Sequence, residues 1–320
     1  MIAFIKLIRP INLLIIAFTM FCTGWYFDML LVKAGHSSKL ISLPFIILVV
    51  STILIAAAGN IINDYFDIKA DRINRPERLI VGKYIKRRWA ILFHWVINFL
   101  AFGMAVYLSY IFETFWYLFI HLLSINLLWY YSMHLKRTVV FGNVTIALLT
   151  GLVPVLVAIF YNQQTDWENI SYYYPFNFKP LHDFPIYIGI GLGLFGFFLN
   201  WAREIVKDIE DIKGDKALKA KTLPIYSGIK RAKYISTIIL LIPVFLSLFF
   251  FLGVKVNTIQ SAYDFLPLSI AGLAMLFAFI FILNSNTPKQ FRKTHLTIKL
   301  IMICGLILPL YWAINLYISN

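Results

Sequence analysis

Oxygen ligands gather at two places in this chain, each where a long apolar run gives way to charge. The first is Asn60-Ile61-Ile62-Asn63-Asp64-Tyr65-Phe66-Asp67-Ile68-Lys69-Ala70-Asp71. On a continuous helix Asn60, Asn63, Asp64, Asp67 and Asp71 step by three or four residues and share one face. Three carboxylates on one face repel one another unless something positive sits among them. Oxygen-only donors at this spacing suit Mg²⁺, which takes a few carboxylates and substrate phosphates. The second place repeats the first. Asp208-Ile209-Glu210-Asp211-Ile212-Lys213-Gly214-Asp215 has the same three-then-four aspartate spacing, with Ile-Lys again after the middle aspartate. Such a repeat predicts two related halves that present their acids to one cavity. The plainer reading, two solvated helix ends laced by ion pairs, leaves the recurrence in a chain with only 15 acids unexplained.

Six aspartates facing one another need cations, and two Mg²⁺ ions bridged by a diphosphate meet both the charge and the ligand count. Basic side chains flank both clusters: Arg72, Arg75 and Arg78 after the first, Arg203 and Lys207 before the second. Arg203, Lys207, Asp211 and Asp215 step by four and form a stripe along one helix face. Lys136 and Arg137 follow the aromatic run Trp129-Tyr130-Tyr131, with Asn143 close behind. Carboxylates for metal and cations for phosphate oxygens are the parts needed to draw electrons towards a leaving diphosphate.

The elements that must position these groups are membrane helices. Of the 320 residues, 60% are hydrophobic and 14% charged, a composition foreign to a soluble domain of this length. Nine apolar runs reach spanning length, at 10–33, 41–62, 89–111, 114–133, 139–161, 185–205, 232–254, 264–284 and 297–318. The run after the short amphipathic start Met1–Pro10 ends in no small-residue cleavage site and reads as a retained span. With the N-terminus in the cytoplasm, 25 of the 29 Lys and Arg fall on the inside, leaving only Lys33, Lys39, Lys179 and Lys255 outside. That asymmetry predicts an all-α polytopic membrane protein: one domain over 1–320, nine transmembrane helices in a bundle, and both acidic motifs at the cytoplasmic face. It also assigns the net charge of +14 to topology and anionic lipid, which excludes nucleic acid as a partner. The outside stretch 162–184, with Tyr172-Tyr173-Tyr174-Pro175, reads as an interfacial aromatic cap. Cys22 and Cys304 sit in apolar runs without a partner motif and read as packing residues.

Taken together the residues resemble the UbiA superfamily of intramembrane prenyltransferases. The likeness rests on Asn63-Asp64-x-x-Asp67-x-x-x-Asp71 and Asp211-x-x-x-Asp215, and on Arg9-Pro10, Arg75-Pro76, Tyr131 to Lys136-Arg137, and Gly142-Asn143. It covers essentially the whole chain. The resemblance implies Mg²⁺-dependent transfer of a prenyl group from a polyprenyl diphosphate to an acceptor, in the plasma membrane of a prokaryote. Carried over, Asn60, Asn63, Asp64, Asp67 and Asp71 form the first diphosphate–metal site, and Asp208, Asp211 and Asp215 the second. Arg72, Arg75, Lys136, Asn143, Arg203 and Lys207 serve the substrate, with Lys136, Arg203 and Lys207 on phosphate oxygens. The tail would lie among residues such as Trp129, Tyr131, Phe195 and Phe198. The run Arg203-Glu204-Ile205-Val206-Lys207-Asp208, continued to Asp215 and then Lys221-Thr222-Leu223-Pro224, resembles the digeranylgeranylglyceryl phosphate synthase branch, whose acceptor is a glycerol-phosphate ether alcohol. Aromatic acceptors of the hydroxybenzoate, dihydroxynaphthoate or chlorophyllide type are the alternative, since those branches share the metal motifs.

Two other classes fit less well. A CDP-alcohol phosphotransferase needs all its acids in one stretch with interspersed glycines, which residues 63–75 lack. A secondary transporter places ionisable groups near mid-bilayer in broken helices, whereas these acids lie at one face. His94 and His121, the histidines within spans, read as packed or locally bonded groups. The sequence carries no signal for oligomeric state.

Overall fold

The computed structural model describes residues 2–74, 76–170, 182–253 and 266–318. Arg75 and the Tyr172–Pro175 stretch lie outside the described residues. The chain forms α1 (Ile2–Leu7), α2 (Pro10–Lys33), α3 (Leu43–Phe66), α4 (Ile68–Asn74), α5 (Arg87–Ile111), α6 (Trp116–Met133), α7 (Phe141–Asn162), α8 (Phe184–Ala217), α9 (Leu223–Ser227), α10 (Ile229–Gly253), α11 (Leu266–Asn284), α12 (Pro288–Gly305) and α13 (Ile307–Ile318). Among the described residues no strand occurs, only a single β-bridge between Val81 and Ile85. Among the described residues seven stretches are long and apolar enough to cross a membrane: α2, α3, α5, α7, α8, α11 and the tandem pair α12–α13. The helices α6 and α10 fill the two remaining apolar runs. The former mixes polar groups into its apolar run, its 18 residues including five Trp or Tyr together with His121 and Asn126.

Local chemistry sets the helix starts. Pro10, Pro44, Pro185 and Pro288 stand in the first turns of α2, α3, α8 and α12, where a missing N–H costs nothing. Thr287 and Gln290 close a capping box at the start of α12. A glycine seam brings α7 and α8 together. A Cβ on Gly151 would stand 2.7 Å from the Gly193 carbonyl oxygen, and one on Gly193 would stand 2.6 Å from that of Gly151. Gly189 faces Ala158 in the same way, so only glycine permits this backbone approach.

Among the described residues three apolar clusters fill the bundle. One joins α2, α3, α7 and α13 around Tyr26, Phe27, Phe45 and Trp167. A second joins α8 to α10, α11 and α12. The third, smaller, packs Leu7 of α1 with Ile61, Ile68, Val81 and Ala90 beneath the acidic end. There the structure departs from a continuous acidic helix in two ways. Helix α3 ends at Phe66 and Asp67 becomes its cap (φ −86°, ψ 0°), so Asp71 rides on α4. Conversely α8 does not stop near residue 205 but runs 34 residues to Ala217, carrying the whole second motif on one rigid element.

Candidate active site

The first motif is held by two cations that come from far away in sequence. Asp64 and Asp67 are buried; Arg9 pairs with Asp64, and Lys136 pairs with Asp67. Asn63 donates from Nδ2 to Asp67 Oδ2 at 2.8 Å and accepts from Lys136 Nζ at 3.4 Å. Asn60 Nδ2 donates to the Ile8 carbonyl at 2.9 Å, which ties down the α1–α2 turn that carries Arg9. Arg9 itself has a left-handed backbone, φ 55° and ψ 67°. That conformation is costly for a non-glycine residue, and the more so before proline. Burial pushes the Asp71 carboxyl up to about 6, and repulsion from Asp67 and Asp64 adds to it against the pull of Lys136 and Arg9. Burial alone would lower the pKa of Lys136, but Asp67 and Tyr131 outweigh it and hold the ammonium firmly charged.

The second motif stands opposite on α8. Asn143 of α7 donates to Asp208 Oδ2 at 2.9 Å. Glu204 sits between Arg203, its ion-pair partner, and Lys207 at 3.1 Å, and Asn200 Oδ1 accepts from Arg203 at 3.2 Å. Asn200 in turn donates to Thr150 Oγ1 at 2.7 Å, so the stripe is braced against α7. Lower on the same helix Glu210 meets His295 of α12 at 2.8 Å.

One side chain joins the two motifs. Asn74 of α4 donates to the Asp211 carbonyl at 3.2 Å and accepts from the Gly214 amide at 2.9 Å. The fit is tight, because a Cβ on Gly214 would lie 2.3 Å from Asn74 Nδ2. Asp215 thereby comes within electrostatic reach of Asp67 and Lys136.

Between the motifs opens a cavity of about 360 Å³. Its mouth is polar, with Arg9, Asn60, Asn63, Arg203, Glu204 and Lys207, and its depth is lined by apolar groups with Tyr131 and Phe195. A second, apolar lobe of about 320 Å³ adjoins it and shares Leu192, Phe195 and Gly305, with Phe198 on its wall. Among the described residues no three His, Cys, Asp or Glu side chains gather closely enough to hold a metal ion unaided. The donor set is nonetheless all oxygen, split between two facing elements. It fits a hard cation such as Mg²⁺, whose remaining positions go to water and phosphate.

Comparison with known proteins agrees with this geometry. The model of the UbiA prenyltransferase family matches residues 18–303. The chain belongs to the UbiA prenyltransferase family. It is 33% identical to the digeranylgeranylglyceryl phosphate synthase of Thermococcus gammatolerans over 300 residues, 93% of each chain. A solved structure reported for digeranylgeranylglyceryl phosphate synthase in membranes is 25% identical and covers 98% of both chains, with a TM-score of 0.67. The structure of a UbiA homolog from Archaeoglobus fulgidus bound to GPP and Mg²⁺ shares the fold, with a TM-score of 0.59, at 17% identity over 96% of this chain and 99% of that one.

In this prenyltransferase, Asn60, Asn63, Asp64, Asp67, Asp71, Lys136, Asn143, Arg203, Lys207, Asp208, Asp211 and Asp215 all gather at one end of the bundle. Arg72, expected beside the diphosphate, is instead exposed on α4 and lies off the cavity wall. Trp129, expected along the tail, is packed into an aromatic group with Phe66, His94 and Trp95. His94 bonds the Ala58 carbonyl at 3.0 Å and His121 bonds Ser51 at 2.8 Å, the local bonding read for both. Arg9, Asn12, Glu204 and Lys299 were not singled out as site residues, yet all line the cavity. For Arg9 the Arg-Pro pair was a visible signal. Lys299 sits in the run 297–318 with no motif around it.

Proposed function

We propose that this prenyltransferase moves a polyprenyl group from its diphosphate to a glycerol-phosphate ether alcohol of the geranylgeranylglyceryl phosphate type, with Mg²⁺. The observation that carries the reading is the cavity with a polar mouth between two acidic motifs and an apolar depth that continues into a second apolar lobe. The identity to digeranylgeranylglyceryl phosphate synthases favours this acceptor over aromatic ones. The homolog bound to GPP and Mg²⁺ supports the same donor and metal here. The bundle is read as nine spans with its N-terminus and both motifs at the cytoplasmic face of a prokaryotic plasma membrane, on the strength of the Lys and Arg distribution.

In this reading Asp64, Asp67 and Asp71 on one side and Asp208, Asp211 and Asp215 on the other would hold Mg²⁺. Bound there, the metal would neutralise the diphosphate oxygens and make it a better leaving group. Lys136 and Lys207 bind remaining oxygens of the diphosphate, with Lys136 oriented by Asn63 and Asp67, and Arg203 serves phosphate oxygens at the same mouth. The apolar depth takes the tail and keeps water from the allylic carbon, beside the π-face of Tyr131. The allylic C–O bond of the donor breaks with both electrons going to diphosphate. The acceptor hydroxyl oxygen forms the new C–O bond, and its proton passes to the departing diphosphate.

Purified protein with Mg²⁺ is expected to convert geranylgeranyl diphosphate and geranylgeranylglyceryl phosphate to the doubly prenylated product by mass. Asp67→Asn and Asp211→Asn are each expected to lower kcat/KM by roughly a hundredfold or more, the size of losing a group that steadies developing charge. Near-full activity in both variants would sink the paired-motif mechanism. Product from 4-hydroxybenzoate alone would replace the acceptor.

A further inference from the structure

Lys299 of α12 lines the same cavity. Its Nζ donates to Asn12 Oδ1 at 2.6 Å, on the first turn of α2. It stands within electrostatic reach of Arg203 and Arg9, and all three line the cavity. The arrangement is unfavourable by itself. Three cations share one low-dielectric wall, while the acids near them are already engaged: Asp64 by Arg9, and Glu204 by both Arg203 and Lys207. Arg203 Nε, moreover, is buried and has no hydrogen-bond partner. A buried guanidinium nitrogen left unpaired, with like charges beside it, is costly unless an anion completes the site. Lys136 is different. It is spent on Asp67 and Asn63 within the first acidic motif. The positive charge at the mouth therefore divides into a part that belongs to the acidic motifs and a part that faces away from them.

We infer that Lys299 and Arg203, with the Asn12 amide, form a second anion subsite that binds the phosphate of the acceptor, apart from the diphosphate of the donor. This rests on the reading that the acceptor carries a phosphate. It also gives that reading a physical basis, since two polyanions meeting in one cavity need separate counter-charge or they repel each other. Arginine supplies paired donors to phosphate oxygens and lysine a compact charge, the usual division of labour in such sites. Lys299 is the residue to test, because it is in no acidic motif and its loss leaves the metal-side contacts in place.

The experiment compares wild type with Lys299→Gln, and with Lys299→Arg as the charge-conserving control. Initial rates are measured with Mg²⁺ while each substrate is varied in turn. The subsite predicts that Lys299→Gln raises KM for geranylgeranylglyceryl phosphate by roughly ten- to a hundredfold, the size of losing one charge-assisted hydrogen bond. KM for geranylgeranyl diphosphate should stay within about twofold, and Lys299→Arg should restore much of the loss. An unchanged KM for the acceptor, or equal rises for both substrates, would overturn the subsite. A second measurement does not depend on turnover: glycerol phosphate should raise the thermal midpoint of the wild type and not that of Lys299→Gln. If the wild type makes no product from the phosphate-bearing acceptor, the proposed acceptor fails. The glycerol-phosphate shift then decides the subsite separately: if it depends on Lys299 the subsite stands, and if it is absent the subsite falls too.

Discussion

At the scale of single residues, the site is a set of buried carboxylates and half-buried cations that satisfy one another across long sequence separations. Lys136 and Asp67 are 69 residues apart, and Arg9 and Asp64 are 55 apart. Removing one partner of such a pair leaves the other charged and poorly solvated. Lys136→Met is therefore expected to lower kcat by roughly a hundredfold and to destabilise the protein by about 1–3 kcal/mol, the usual cost of an unpaired buried group. The same change should enlarge the stabilisation by Mg²⁺, because the uncovered Asp67 gains more from a cation. Thermal midpoints measured with EDTA and with Mg²⁺ check this, and a smaller Mg²⁺ shift in the variant would count against it. The acids were legible in the sequence because their three-then-four spacing repeats. Their counter-ions were only half legible. Lys136 stands in a run of basic and aromatic residues, but no local periodicity marks Lys299 as a cavity residue or Glu204 as the link between Arg203 and Lys207.

At the scale of elements, the decisive contact is the joint between α4 and α8. The expectation of one unbroken helix through Asp71 overlooked the break at Asp67, after which α4 carries Asn74 to Asp211 and Gly214. Spacing alone could not show it, since Asp67 keeps near-helical angles. Gly214 was visible as the one glycine in either octapeptide, but its reason appears only with Asn74 beside it. Gly214→Ala is expected to cost about 1–3 kcal/mol from overpacking and to impair transfer. In an Asn74→Ala background the same alanine has room, so its additional cost should fall to well under about 1 kcal/mol, a coupling that a double-mutant cycle reads directly. Equal costs in the two backgrounds would show that Asn74 is not what Gly214 accommodates.

For the whole molecule, hydropathy and charge asymmetry outlined the bundle before any contact was known. The run near 114–133 marks where hydropathy alone is weakest: α6 mixes five Trp or Tyr with His121 and Asn126. The proposed orientation predicts a simple labelling result. In a protein with Cys22 and Cys304 replaced, Ser37→Cys should react with an impermeant maleimide added outside intact cells. Glu77→Cys and Lys219→Cys should react only after the membrane is opened. All three sites are exposed, so the reverse pattern would invert the topology.

The glycine seam between α7 and α8 has a consequence for where mutations act. Helix α8 is unbroken from Gly193 to Asp215, a distance of about 33 Å at 1.5 Å per residue. A shift imposed on it at the seam is carried along its length. A tilt of about 2° at the seam, over that distance, sweeps the second motif through about 1 Å. A displacement of that size is enough to cost about a hundredfold in rate. A methyl group added deep in the apolar layer would thus act at the acidic end, so catalytic precision in this protein depends on how closely two backbones can touch far from the chemistry.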